Sequence, residues 1–546
     1  MEVPGIGRIA GVELPPLHPF VGMDVTTLLE DRARRRGEHP FLVWEPREGE
    51  PHTWTYARFA RDVRATAAGL AARGVGVGDA VIVHLDNSPG FLHVWFACAR
   101  LGAVAVDVNT RYVEDELAHA IGLTGAVGIV TDPRLGLADS PTVTGLGWRV
   151  LLGPATGTVP ELTGSAGLSA DIDADIDAPP PRPADPGAPL CVQLTSGTTS
   201  RPKAVLYTHG NALWTGRTGS SLWRLLPDDV MLVYAPLFHT HALSWQLLPT
   251  LWVGGTIVLQ PKFSASRFWE VSLRNRCTVT GLLGLMMEVL ADQPVPDHSY
   301  RSWIGGLELP SFEARYGVRI FPAWGMTEVV STPVCGDVDF PGEAMVIGRP
   351  APQYQVRIRT ADGRDAGPGE VGELQVGGVR GLSLFAGYIA DPAATTKAFE
   401  DGWFRTGDLV TQLPDGAVRF AGRAKDMLKV SGENVAAAEI ERVVNTVPRV
   451  LASAVVGRAD RIRGEIPVAF ITLRPDAGTD HDALRAEVLA ACRAALADFK
   501  VPHDVHVIDE LPRATLDKVA KGTLREWAAE RAADTAGSAQ SPPPAQ

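Results

Sequence analysis

The sequence predicts an α/β fold: a large N-terminal domain of parallel-sheet α/β subdomains plus a small β-subdomain, followed by a compact α+β C-terminal domain. Three observations predict it. Strand and helix alternate from Ala80 to Leu290, the pattern of right-handed βαβ units around a parallel sheet. From Gly348 the pattern changes to short strands separated by D-G and P-G turns, which reads as all-β. Gly422-Arg-Ala-Lys-Asp-Met-Leu-Lys429 then forms a joint, and beyond it lies a block with its own mix of helix and strand.

The elements follow in order. Thr26 to Arg36 and Thr55 to Arg73 are amphipathic helices; in the second, Phe59, Val63, Ala67 and Leu70 recur at helical spacing. Gly74, Gly76 and Gly78 end that helix before the apolar strand Ala80 to Leu85. They precede the strand instead of following it, which excludes a dinucleotide-binding loop. Helix Phe91 to Leu101, strand Gly102 to Val108, helix Arg111 to Leu123 and strand Gly128 to Thr131 continue the alternation. Asp171 to Pro189 is acidic and proline-rich, a solvated connector. Strand Cys191 to Thr195 follows, then strand Met231 to Ala235, helix Leu243 to Leu251, strand Gly254 to Leu259, helix Phe263 to Asn275, strand Thr278 to Thr280, helix Leu282 to Leu290 and strand Val318 to Pro322. The β-rich part holds Val356 to Arg359, Gly372 to Val376 and Ala417 to Phe420. Helix Ala437 to Asn445, strands Val450 to Val456 and Ile466 to Leu473, and helix Asp482 to Asp498 complete the C-terminal block. The domains expected are 1–424 and 425–532, with 533–546, ending S-P-P-P-A-Q, as a disordered tail.

Composition narrows the class. A chain of 546 residues with 45% hydrophobic and 21% charged residues is an ordinary soluble globular protein, large enough for several domains. A net charge of −12 argues against nucleic acid and anionic membrane as partners. No apolar run approaches the roughly 18 residues of a membrane span, and M-E-V-P-G-I-G-R lacks the basic-then-apolar pattern of a signal peptide. The five cysteines (Cys98, Cys191, Cys277, Cys335, Cys492) show no metal or redox spacing and read as buried thiols of a cytoplasmic enzyme.

The chemistry is concentrated in Leu194 to His209, L-T-S-G-T-T-S-R-P-K-A-V-L-Y-T-H. Thr195, Ser196, Thr198 and Thr199 surround Gly197, and Lys203 follows. Such a small-sided loop lets backbone N–H groups close on phosphate oxygens while hydroxyls and a lysine add donors. It is not a Walker A loop, because Pro202 stands where the second glycine belongs and Ala204 where Ser or Thr should follow. Composition alone leaves phosphate binding and a polar surface turn equally open.

Four further segments stand in order behind that loop: W-G-M-T-E (324–328), T-G-D (406–408), G-R-A-K-D-M-L-K with S-G-E-N-V (422–435), and L-P-R-A-T-L-D-K (511–518). Together with the loop they resemble the adenylate-forming superfamily of acyl-CoA synthetases, luciferases and peptide-synthetase adenylation domains, over about Thr26 to Arg525. S-R-P-K, F-S-A-S-R-F-W-E-V and Y-G-V-R-I-F-P-A-W-G-M-T-E are most similar to bacterial crotonobetaine/carnitine-CoA ligases.

The resemblance implies an ATP- and Mg²⁺-dependent acid–CoA ligase that forms an acyl-adenylate, releases pyrophosphate and passes the acyl group to CoA. Thr195, Ser196, Gly197, Thr198, Thr199 and Lys203 would hold the β- and γ-phosphates, Thr327 the α-phosphate, and Glu328 the metal. Asp408, with Arg423, would bind the ribose, and Gly305, Gly306, Leu307 and the Trp324 ring would flank adenine. Lys518 would neutralise charge at the α-phosphate and the attacking carboxylate, with Lys521 as its local competitor. Relatives usually have glycine before this lysine; here Asp517 stands there, which puts an added negative charge beside it. Lys425 marks a hinge about which the C-terminal domain is mobile, bringing in Gly432-Glu-Asn for the thiol, with Lys262 and Lys429 at the CoA nucleotide.

The acid pocket would comprise His239, Trp245, Gly281 to Leu285, Gly306, Leu307, Gly325, Met326 and Val330, apolar with glycines leaving room for a medium-sized or aromatic acid. Glu308 is placed to pair with a cationic acid or to face solvent. His239 and His241, alternate residues on an extended stretch, have no third ligand near them, which argues against a metal site. Other acceptors share the first half-reaction: a carrier-protein thiol, an amine, or a non-carboxylate oxyacid such as nitrite in place of the acid. A non-catalytic adenylate-binding module is the competing class. The identity of the acid and the oligomeric state, a homodimer included, stay open.

Overall fold

The computed structural model describes residues 5–153, 179–180, 182–195, 202–282, 284–291, 293–305, 310–337, 346–423, 426–430, 433–460, 463–475, 477–496, 498–513 and 519–538. Three sheets organise them. In the first, the strands Pro40–Trp44, Thr256–Leu259, Val230–Val233, Val279–Gly281, Ser302–Gly305 and Arg319–Trp324 lie side by side and parallel. The antiparallel strands expected beyond Gly348 are present and continuous with this sheet, joined to it through Val334–Cys335 and Val346–Pro350. The second sheet runs Gly387–Tyr388, Lys203–Thr208, Pro189–Thr195, Val104–Asp107, Ala80–His84, Gly128–Thr131 and Trp148–Leu151.

Local sequence explains the helices between these sheets. The helix Pro89–Leu101 starts where the Ser88 hydroxyl accepts from the Phe91 N–H and Pro89 occupies the first turn, and it stops at Gly102 with φ of 73°. Pro89 through Arg100 are all buried, so it is a core helix and not an amphipathic surface one. The helix His209–Leu222, absent from the sequence reading, has the same character: Thr208 and Asn211 cap it reciprocally and ten of its residues are buried. The stretch expected as one helix over Leu243 to Leu251 is longer and interrupted. It begins at Thr240 and passes through a π-helical turn, Leu243–Leu247, before the α-helix Leu248–Val253.

The C-terminal block is a sheet of five strands with helices on both faces. Alternation in Val450–Asp460 decides the packing: Val455 joins Ile440, Leu484 and Val488 on one face, and Ala454 and Val456 join Phe470, Leu524 and Ala528 on the other. The strand Asp504–Val507 and the helix Lys521–Ser538 complete it. That helix runs past Ala533, where the tail was expected to begin, to Ser538. Among the described residues no helix is long and apolar enough to cross a membrane.

Candidate active site

Two sheets contribute to the site. Thr195 and Lys203 face each other across the antiparallel pair of the second sheet, and Thr195 Oγ1 lies 3.5 Å from the Lys203 carbonyl. Residues 196–201 between them, Ser196, Gly197, Thr198 and Thr199 included, lie outside the described residues. From the first sheet, Arg319–Trp324 ends at a 3₁₀ turn, Thr327–Val329, that carries Thr327 and Glu328. This is the carboxyl edge of the parallel strands, where open α/β sheets place their ligands.

Hydrogen bonds stitch the two contributions together. The Tyr207 hydroxyl, from the Lys203–Thr208 strand, donates to the Thr327 carbonyl at 2.6 Å. The Thr240 hydroxyl lies 2.7 Å from Gln193 Oε1 and 3.2 Å from the Thr327 hydroxyl. Tyr388 donates its hydroxyl to Glu328 Oε1 at 2.8 Å, and the Lys203 ammonium sits over the same ring, 4.5 Å from its centre. Burial pushes both phenols up from their ordinary value, with the Glu328 charge adding to the shift in each case, so both stay protonated donors at neutral pH. Trp324 Nε1–H donates to Asp408 Oδ2 at 2.9 Å, and Asp408 faces Arg423 across the antiparallel strands.

Trp324, Thr327, Glu328, Asp408, Thr195 and Lys203 therefore lie together where the two sheets meet. Tyr207, Gln193, Thr240 and Tyr388 were missed. Tyr207, Gln193 and Thr240 lie within or near segments already singled out. Nothing in the sequence marks Tyr388, whose place depends on Gly387–Tyr388 pairing with the Lys203 strand. Gly306, Leu307, Lys425, Gly432 and Lys518 lie outside the described residues, as do the side chains of Leu285, Arg423 and Lys429. Lys262 is exposed. Lys521, the other lysine near Lys518, is held by Glu441 at 2.6 Å, an ion pair internal to the C-terminal block.

The acid-pocket residues sit next to this cluster. A Cβ on Gly325 would lie 2.6 Å from Trp245 Cζ2, so only glycine lets the indole cover that backbone. The His241 ring meets Trp245 edge-on at 5.6 Å. Gln246 Nε2 lies 3.3 Å from the His241 carbonyl oxygen, which makes it the amide's donor; its 3.1 Å approach to His241 Nδ1 then puts the ring proton on Nε2. Burial pulls the His241 pKa down to about 4, so the ring is neutral at neutral pH. His239 caps the helical turn that contains His241, so the two do not alternate along a strand. Val330, fully buried, has φ of 54° and ψ of −38°, and Ser331 N–H donates to the Val329 carbonyl at 2.6 Å. This is a positive-φ γ-turn, a strained conformation for a β-branched residue.

The profile of the AMP-binding enzyme family matches residues 29–389, and that of the AMP-binding enzyme C-terminal domain matches 439–518. The chain belongs to the AMP-binding enzyme family. A crotonobetaine/carnitine–CoA ligase of Citrobacter koseri is 33% identical over 523 residues, covering 92% of this chain and 99% of the relative. ATP-bound MatB from Rhodopseudomonas palustris superposes with a TM-score of 0.82 at 27% identity, covering 92% of this chain and 99% of MatB. O-succinylbenzoate CoA synthetase from Bacillus subtilis, in complex with ATP and magnesium ion, superposes at 0.79 with 26% identity, covering 91% and 98%. The chain is an AMP-forming acid–CoA ligase of this family, with ATP, a carboxylic acid and CoA as substrates.

Proposed function

We propose that this ligase activates a medium-sized or aromatic carboxylic acid, using its own side chains as follows. The carboxylate oxygen bonds to the α-phosphorus of ATP as the bond to pyrophosphate breaks. The CoA thiolate then bonds to the acyl carbon as AMP leaves. Two anions meet in the first step, so the site must neutralise charge. Thr195 and Lys203 grip the leaving pyrophosphate together with the loop between them. Thr327 donates to the α-phosphate, and the Trp324–Asp408 pair takes the base and ribose, assisted by Arg423. Lys518 completes the charge neutralisation during adenylation. About the hinge at Lys425 the C-terminal domain then exchanges Lys518 for Gly432, with Lys262 and Lys429 on the CoA nucleotide.

Glu328 fits a magnesium ligand: it is a hard oxygen donor, buried next to Thr327 in the chain, with the Tyr388 hydroxyl on one of its oxygens. No cluster of three His, Cys, Asp or Glu gathers among the described residues, as suits an ion that arrives with phosphate oxygens and needs one protein carboxylate. When bound, the ion would supply charge neutralisation at the phosphates.

The observation that carries this reading is the convergence of Lys203, Thr327, Glu328 and the Trp324–Asp408 pair where the two sheets meet. A pyrophosphate-release screen over carboxylic acids, with and without CoA, tests it. Acid-dependent release followed by CoA-dependent thioester formation is expected. Release that ignores CoA for every active acid would transfer the second half-reaction to a carrier-protein thiol or an amine. Release with nitrite but with no carboxylate would replace the acid altogether.

A further inference from the structure

We propose that Tyr388 is a positioning residue for the phosphate site, holding the Glu328 carboxylate by its hydroxyl and the Lys203 ammonium on its ring face so that the two ions do not pair with each other. The inference rests on the reading of Glu328 as the metal-side ligand and Lys203 as the grip on pyrophosphate. One side chain serves both ions by different parts. Its hydroxyl donates to Glu328 Oε1 at 2.8 Å, and its ring face carries the Lys203 ammonium at 4.5 Å from the centroid. A cation on a ring face is held more weakly than one paired with a carboxylate in a buried site. Lys203 is thus kept near its working place yet released readily to phosphate oxygens, and its charge is not taken up by Glu328.

The backbone shows that this placement is built in. Phe385 N–H donates to the Glu328 carbonyl at 2.9 Å, and Ala386 and Ile389 N–H groups donate to Leu206 and Ala204 at 3.0 and 2.9 Å. The segment 385–389 therefore hydrogen-bonds both to Glu328 itself and to the strand that begins at Lys203. The Thr395 hydroxyl accepts from the Tyr388 N–H at 2.9 Å, and Phe385 packs edge-on against the ring at 4.8 Å. These contacts hold the backbone of Tyr388 and one edge of its ring.

Tyr388→Phe removes the hydroxyl and keeps the ring; Tyr388→Leu removes both. Calorimetric titration of the full-length chain with ATP, in excess Mg²⁺ and separately in EDTA, separates the two contacts without reference to turnover. The phenylalanine variant should bind Mg–ATP about fivefold more weakly and metal-free ATP within about twofold of the parent. The leucine variant should bind both forms more weakly. Unchanged Mg–ATP binding by Tyr388→Phe, or an equal loss with and without the metal, overturns the proposal. Should the leucine variant fail to fold, as judged by its melting curve, the phenylalanine comparison decides alone. A parent chain whose ATP affinity ignores Mg²⁺ would instead refute the underlying assignment of Glu328.

Discussion

The indole N–H of Trp324 and the carboxylate of Asp408 are joined by a hydrogen bond of 2.9 Å, so the flat wall and the anionic acceptor proposed for the nucleoside are one unit. Trp324→Phe keeps an aromatic face but removes the indole donor to Asp408. A hydrogen bond to a charged group contributes about 1.5–3 kcal/mol. The KM for ATP should rise about tenfold or more while the KM for the acid changes little, as steady-state kinetics over both substrates will show.

Thr240 is linked to Thr327 and to Gln193 by one hydroxyl. Thr240→Val deletes both contacts at nearly constant volume and leaves Gln193, buried, without its partner. We expect kcat for pyrophosphate release to fall about tenfold, close to one lost hydrogen bond. Thr240→Ser should recover most of the loss. Equal defects in the two variants would show that the hydroxyl alone does not suffice and that packing of the methyl group matters as much.

Lys518 and Lys521 should separate cleanly. Lys518→Ala should slow ATP–pyrophosphate exchange by about two to three orders of magnitude, while transfer from supplied acyl-adenylate to CoA stays near the parent rate. Lys521 is tied to Glu441, with both side chains mostly buried. Lys521→Ala should therefore lower the stability of the C-terminal block by about 1 kcal/mol and leave exchange intact. Exchange by Lys518→Ala at the parent rate would remove its assignment.

The turn at Val330 sets burial against strain. Val330→Gly gives up about 2 kcal/mol of buried side chain but relieves strain of about 1–3 kcal/mol, so the two nearly cancel. Val329, equally buried with no positive φ, has nothing to offset its loss, and Val329→Ala should cost about 2 kcal/mol. Urea midpoints of the two variants test the contrast. A large destabilisation by Val330→Gly would mean that the turn is unstrained.

Two buried groups should tilt the stability curve in opposite directions. Asp107 is 1% exposed with neither oxygen hydrogen-bonded, and burial raises its pKa well above 3.8. The folded chain then keeps a proton that the unfolded chain releases above pH 3.8, so this group's contribution is lost as pH rises. Asp107→Asn should therefore stabilise the protein increasingly as pH rises above 3.8. His93 is the reverse: burial pulls it from 6.5 to about 4, so the unfolded chain takes up the proton first and stability is lost as pH falls through that window. His93→Gln should flatten the acid limb of the curve, measured by urea midpoints across the range.

Much of this was legible in the sequence because the βαβ strands are short apolar runs between turn residues, and the site motifs lie at their ends. The helix His209–Leu222 was not legible because burial on nearly all sides erases the 3.6-residue period that marks a surface helix. The π-helical turn at Leu243–Leu247 is a backbone event with no residue signature, so the stretch read as an uninterrupted helix. His239-Thr-His241 was read as extended because alternation was the only cue available, whereas a helical turn begins between the two histidines. Tyr388 was invisible for a different reason. Its importance comes from a strand pairing between residues nearly two hundred apart, and no local pattern encodes a partner at that distance.

The hydrogen bonds Tyr207–Thr327, Tyr388–Glu328 and Phe385–Glu328 cross from one large sheet to the other at the site itself. The nucleotide would therefore lie in a seam, with Lys203 on one bank and Glu328 on the other. A bound ATP would act as a rivet as well as a reactant, holding the two halves of the N-terminal domain to a common spacing. Losing pyrophosphate would remove part of that rivet before CoA enters.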